Sequence, residues 1–231
     1  MKINIEDLAR IIDHTNLKPD ATEEDIKKLC NEAIKYKFGA VCVNPSYVEL
    51  AAKILKDTDV KVCTVIGFPL GATISEVKAF EAQKSIELGA SEIDMVINIG
   101  ALKSGNYDLV KNDIKAVIES SKNALTKVIL ETCYLTEDEI KKACIIAKDS
   151  GANFVKTSTG FGSAGATIEH VRLMRSIVGN DMGVKASGGI RTYEFAEKLI
   201  IAGASRIGAS SSIAIIEGFK EILSKNKFQE K

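Results

Sequence analysis

Residues 154–162 read Phe154-Val155-Lys156-Thr157-Ser158-Thr159-Gly160-Phe161-Gly162, and one helical pattern later Gly183-Val184-Lys185-Ala186-Ser187-Gly188-Gly189 repeats the theme. Each is a short apolar run that carries a lysine and then breaks into hydroxyls and glycines. Neither run shows the polar alternation of a half-exposed sheet, as expected of parallel strands covered on both faces. With a helical segment between them they form a β-α-β unit, and the fold follows from how often that unit recurs.

Outward from this pair, five more apolar runs precede it, at residues 11–14, 40–44, 62–66, 93–97 and 128–131, and one follows it at 206–209. Helical patterns separate them. Thr22 with Asp25 makes a capping box ahead of Ile26, Leu29, Cys30, Ala33 and Ile34 on one face, and Thr136 with Glu139 repeats the device. Thr167 and Thr192 open two more helices. Gly39, Gly89, Gly151, Gly179 and Gly203 stand where helices should end, four of them in a Gly-Ala pair just ahead of the next strand. Eight units after a short leading helix, without a linker, predict a single (β/α)8 TIM barrel over residues 1–231. An open doubly wound sheet is the structural alternative.

Bulk properties narrow the function classes. The chain is 45% hydrophobic and 27% charged with zero formal net charge, and no block of like charge marks a nucleic-acid or anionic-membrane surface. No apolar run approaches the ~20 residues of a membrane span. The first residues, Met1 to Asp7, carry acids where a signal peptide needs an apolar core. Five cysteines (30, 42, 63, 133 and 144) form no C-x-x-C pair and fit buried free thiols in a reducing cytoplasm. Two histidines are too few for a His-rich metal site.

Certain polar residues do not fit a packed strand. With a period of two, Val155 and Val184 face the helices while Lys156 and Lys185 face inward. Consecutive strands lie about 4.8 Å apart. Repulsion and desolvation therefore predict that at least one of the two pKa values falls. A drop of about three units corresponds to roughly 4 kcal/mol. A neutral amine is a nucleophile able to form a Schiff base with a carbonyl. The alternative is that both lysines are salt-bridged to carboxylates at the barrel mouth. Asp94, inside the apolar run 93–97, is either a proton carrier or a counter-ion for a lysine. Asp13, Thr15 and Glu131 also stand where strand ends would line the mouth, and Cys133 reads as a bystander. Lys61 and Lys127, taken as preceding their strands, are expected on the opposite, solvent-facing end.

Gly160-Phe161-Gly162-Ser163-Ala164-Gly165 matches G-x-G-x-x-G, but it follows the sixth strand and no acidic residue ends the next one. Its context does not support a dinucleotide site. Phosphate binding suits the glycines better. Ser187-Gly188-Gly189 closes the seventh strand and Gly208-Ala209-Ser210-Ser211 the eighth, and barrels frequently hold a phosphate between those two loops.

These residues, with Ile12-Asp13-His14-Thr15, Leu17-Lys18-Pro19, Val41-Cys42-Val43-Asn44-Pro45 and residues 92–98, resemble the deoxyribose-phosphate aldolase family nearly end to end. The resemblance implies a class I aldolase that cleaves 2-deoxy-D-ribose 5-phosphate reversibly to D-glyceraldehyde 3-phosphate and acetaldehyde, in deoxyribonucleoside catabolism. It implies Lys156 as the Schiff-base lysine, Lys185 as the neighbour that lowers its pKa, and Asp94 as the acid/base residue acting with a water. Gly160, Gly188, Gly189, Ser210 and Ser211 match phosphate-binding positions, and Asp13 and Thr15 match positions near the sugar hydroxyls. No metal or organic cofactor is implied, and the partners are small phosphosugars and aldehydes. A cytoplasmic homo-oligomer, dimer or tetramer, is expected, with no nucleic-acid or membrane partner. Another Schiff-base phosphosugar aldolase or a transaldolase is the alternative activity. Two departures stand out. Phe161 occupies a place where some members carry a phosphate-side lysine. The tail, residues 225–231, has no tyrosine for the proton transfer proposed in some members.

Overall fold

The computed structural model describes residues 4–122 and 124–229. Eight parallel strands follow one another around a closed barrel: β1 (Ile12–Asn16), β2 (Ala40–Val43), β3 (Lys61–Ile66), β4 (Glu92–Val96), β5 (Leu125–Ile129), β6 (Phe154–Lys156), β7 (Gly183–Ser187) and β8 (Arg206–Ala209). Closure comes from β8 pairing with β1, where Ile12 lies opposite Ile207, so the open sheet is ruled out.

Helix α1 (Ile5–Arg10) precedes the barrel, and α2 (Glu23–Tyr36), α3 (Val48–Leu55) and α4 (Ser75–Glu87) follow the first three strands. The β4–β5 connection holds two helices, α5 (Ile99–Lys103) and α6 (Tyr107–Ser120). Then come α7 (Glu137–Asp149), α8 (Ile168–Val178), α9 (Tyr193–Ile201) and α10 (Ser212–Gln229). Both expected capping boxes form, at Thr22/Asp25 and Thr136/Glu139. Thr167 and Thr192 cap α8 and α9 through their side chains.

Gly39 has a different job from the one expected. Helix α2 ends on Lys37, which takes the left-handed conformation at φ 56°. A Cβ on Gly39 would stand 2.2 Å from the Arg10 carbonyl oxygen, so glycine is needed there for close approach of α1 and β2.

The strands' outward faces and the helices' inner faces make one large apolar cluster that includes Val41, Ile93, Met95, Val128, Val155, Val184 and Ile207. Inside the barrel, among the described residues, Leu17, Ala40, Cys42, Cys63 and Val65 form a small apolar cluster on the β1–β3 side. Charge fills much of the rest.

Strand β5 corrects one expectation. It begins at Leu125 rather than Val128, so Lys127 lies in mid-strand opposite Asp94 and is fully buried. The polar pair Thr126-Lys127 disguised the strand's start. Lys61, by contrast, is exposed as expected.

Candidate active site

The register built by strand pairing decides what meets inside. Lys156 and Lys185 are paired neighbours on β6 and β7, and both are buried. Asp94, two strands from β6, extends into the same space and is fully buried. Its Oδ2 accepts from Lys156 Nζ and from Lys185 Nζ, each at 2.7 Å. Its Oδ1 accepts from Lys127 Nζ at 2.9 Å and from Cys63 Sγ at 3.1 Å. One carboxylate thus holds three lysines. The salt-bridged alternative is what the geometry contains for the resting site.

Two more acids and an arginine complete the cluster. Asp13 accepts from Lys185 Nζ and, at 2.8 Å, from Arg206. Glu92 accepts from Lys127 at 2.6 Å and lies 3.5 Å from Arg206. Four cations (Lys127, Lys156, Lys185, Arg206) therefore face three carboxylates (Asp13, Glu92, Asp94), leaving one positive charge in excess.

Burial alone would push Asp13, Asp94, Lys127 and Lys185 toward neutrality, but the partners win. Desolvation would lower the Lys185 ammonium, yet Asp13 and Asp94 hold its pKa above the ordinary lysine value. The expected fall is therefore reversed at Lys185. Lys127 is raised likewise, chiefly by Asp94 against the same desolvation. Burial would raise Asp94, but Lys127, Lys156 and Lys185 keep it well below the usual carboxylate range. Asp13 falls to about 2, because Lys185, Lys127 and Arg206 outweigh its burial.

Above the cluster, on the side of the strands' C-terminal ends, opens a cavity of about 660 Å³. Its wall includes Lys156, Thr15, Gly160, Gly188, Gly189, Ser210 and Ser211, all picked out from sequence. Asp94, Lys185 and Asp13 are not on that wall. Asp13 is fully buried among its cationic partners.

Two glycine loops shape the far wall. Gly188 and Gly189 have φ of 87° and 76°, a region that favours glycine. A Cβ on Gly165 would come 2.1 Å from the Gly188 carbonyl oxygen. The G-x-G-x-x-G stretch therefore serves to bring the β6–α8 and β7–α9 loops together. Opposite them, α10 starts at Ser212, and its first intrahelical bond runs from Ile215 N–H to Ser211 O. Ile213 and Ala214, next along this first turn, belong to the cavity wall. Free N–H groups at the start of a long helix favour an anion.

Two contributors had no role in the sequence analysis. Lys18 and Arg191 bring positive charge to the cavity wall. Phe161 lies on the wall as well, edge-to-face with Phe68 at 5.3 Å. Glu131, buried at the end of β5, accepts from the Thr159 hydroxyl and backbone N–H and so braces the loop that carries Gly160. Among the described residues, Asp13, Cys63 and Glu92 are close enough to share a cation, and the Lys127 ammonium already lies 3.7, 3.4 and 2.6 Å from them. Tail residues 230–231, part of the segment read as lacking a tyrosine, lie outside the described residues. No helix among the described residues is long and apolar enough to cross a membrane.

A model described as DeoC/LacD family aldolase matches residues 8–219. A deoxyribose-phosphate aldolase of Thermococcus gammatolerans is 65% identical over 216 residues, covering 92% of this chain and 96% of its own length. One of Clostridium novyi is 64% identical over 214 residues, with coverage of 92% and 96%. Among solved structures, the deoxyribose phosphate aldolase of Aeropyrum pernix, described as having a unique tetrameric structure, superposes with a TM-score of 0.89 at 38% identity, covering 95% of this chain and 93% of that one.

Proposed function

This chain belongs to the DeoC/LacD family of aldolases, and we propose that it cleaves 2-deoxy-D-ribose 5-phosphate reversibly to D-glyceraldehyde 3-phosphate and acetaldehyde through a Schiff base on Lys156. The observation that carries this reading is the position of Lys156. It is the one lysine of the buried cluster that also forms part of the cavity wall, and it has a single carboxylate partner. Lys156 is thus the member of the cluster that a carbonyl in the cavity can reach.

The Lys156 amine adds to C1 of the open-chain sugar, and loss of water leaves a protonated imine. Asp94, acting through a water, takes the proton of the C3 hydroxyl. The C2–C3 bond then breaks, its electron pair passes into the imine to form an enamine, and glyceraldehyde 3-phosphate leaves. Protonation at C2 and hydrolysis release acetaldehyde and restore the amine. Lys185, held cationic by two carboxylates, competes for Asp94 and keeps positive charge beside the reacting nitrogen.

The phosphate sits between the Gly188-Gly189 turn and the start of α10, with the Ser210 and Ser211 hydroxyls as further donors. Arg191 and Lys18 supply the charge that a lysine at position 161 would otherwise bring. Thr15 faces the sugar, while Asp13 acts indirectly by holding Lys185 and Arg206. Residues 1–231 work as one catalytic domain in the cytoplasm, in deoxyribonucleoside breakdown. The enzyme is a homo-oligomer, a reading supported by the exposed apolar side chains of Leu70, Ile74, Val77 and Phe80.

Borohydride reduction with acetaldehyde present is the direct test. Peptide mapping should place the reduced adduct on Lys156. An adduct on a different lysine, or dihydroxyacetone transfer outpacing acetaldehyde addition to glyceraldehyde 3-phosphate, would overturn the reading.

A further inference from the structure

The proposed chemistry leaves one buried titratable side chain on β1 without a role. The His14 ring packs against Phe38 with centroids 5.0 Å apart and is almost fully buried. Its Nε2 lies 2.9 Å from Glu32 Oε2 on α2. Its Nδ1 lies 3.0 Å from the hydroxyl of Ser212, the first residue of α10. That hydroxyl is also 2.9 Å from the carbonyl oxygen of Ala209, at the end of β8. Both His14 and Glu32 reach the cavity wall.

Proton counting shows how the contact works. An ionised carboxylate only accepts, so Glu32 takes Nε2–H. In the neutral ring Nδ1 is then an acceptor, and the single proton of the Ser212 hydroxyl is shared between Nδ1 and the Ala209 carbonyl oxygen, which hold the hydroxyl from two sides. Burial lowers the His14 pKa by more than Glu32 raises it, which favours this neutral arrangement at pH 7. Ser212 is itself fully buried, whereas Ser210 is exposed and Ser211 half-buried. Among the described residues neither of those two serines has a side-chain hydrogen bond, so the turn between β8 and α10 is anchored by Ser212.

We propose that His14 is a positioning residue: through Ser212 it fixes the β8–α10 turn so that free N–H groups and the Ser210 and Ser211 hydroxyls are arranged in advance for a phosphate monoester. Glu32 holds the imidazole in the tautomer that this requires. The inference rests on reading that turn as the phosphate cradle.

Two substitutions separate the ring's two contacts. An asparagine amide ends near the place of Nδ1 and a glutamine amide near that of Nε2. H14N therefore keeps a partner for Ser212, and H14Q keeps one for Glu32. Binding of inorganic phosphate is followed by calorimetry, and kcat and KM are measured on 2-deoxyribose with and without the 5-phosphate. H14Q should weaken phosphate binding about fivefold and raise KM for the phosphorylated sugar with little change in kcat, the loss of roughly one hydrogen bond. H14N should stay within about twofold of the parent. An unchanged H14Q overturns the proposal. So does an equal loss on both sugars accompanied by a lower Tm, which is what a merely structural role would give. If H14Q does not fold, S212A removes the same bond and should weaken phosphate binding about fivefold, and no change there overturns it equally. The calorimetric arm needs no turnover. A parent enzyme that binds phosphate but leaves the sugar intact ends the aldolase reading alone, and one that binds no phosphate ends this inference.

Discussion

Strands β6 and β7 carry the same residue in the same register, yet their lysines have different surroundings. Lys156 and Lys185 both touch Asp94 Oδ2 at 2.7 Å. Only Lys185 gains a second carboxylate, Asp13. The cause lies one strand further on. Gly208 on β8, register partner of Asp13, leaves open the space that the Lys185 stem fills, and a Cβ there would come 2.9 Å from Lys185 Cε. Lys156 is flanked on its other side by Ile129, which offers no charge. The lateral neighbour, and not the lysine or its depth in the strand, makes one a locked cation and leaves the other at the cavity. In a closed barrel, a strand's role is set by what stands on both of its edges.

Removing each lysine in turn is the strongest way to break this comparison. Lys156→Leu should abolish the borohydride-trapped adduct and lower kcat/KM by about 10⁴ or more, as expected for loss of a nucleophile. Lys185→Leu should lower it by about 10², because electrostatic support is lost while the nucleophile stays. It should still yield the adduct on Lys156. Equal losses in the two variants would mean that the lysines act as one unit.

The next comparison concerns two lysines that looked alike in the sequence. Lys61 and Lys127 were both read as preceding a strand. Lys61 is exposed, whereas Lys127 is fully buried against Glu92 and Asp94. Lys156, Lys185 and Asp94 were legible because each interrupts an apolar run, where an unpaired charge has no bland explanation. Glu92 and Arg206 were hidden because they open their strands, where polar residues resemble loop, and Lys127 was hidden because Thr126-Lys127 disguised the start of β5. Their pairing is also non-local: Asp13 meets Arg206 only because the last strand closes on the first. The same closure hid His14, whose partners come from α2 and α10. The glycine loops could be read in advance, because φ above zero and close backbone approach both demand glycine. Lys127→Met should therefore destabilise the protein by about 3–5 kcal/mol in urea unfolding, since Glu92 and Asp94 lose a buried partner. Lys61→Met should stay within about 0.5 kcal/mol. Similar costs for both would show that the barrel interior tolerates a missing charge.

Acid unfolding sharpens the contrast from the side of Asp13, the carboxylate that distinguishes Lys185 from Lys156. In the folded protein the Asp13 pKa falls to about 2 from an ordinary 3.8. A lowered carboxylate pKa means that the unfolded chain takes up the proton first as pH drops. The stabilisation is therefore complete above 3.8 and is lost as pH falls through about 2. At the other end, the raised pKa of Lys185 contributes fully below 10.5 and is lost only at higher pH. The Asp13–Lys185 pair should thus hold its stabilisation unchanged across the neutral range and lose roughly 2 kcal/mol on the acid side. Urea midpoints measured from about pH 7 down to about pH 2 should decline chiefly below about pH 4, and Asp13→Asn should flatten that decline. A wild-type decline that Asp13→Asn leaves intact would assign the acid sensitivity to other carboxylates. Asp13 would then not be what keeps Lys185 charged and Lys156 alone at the cavity.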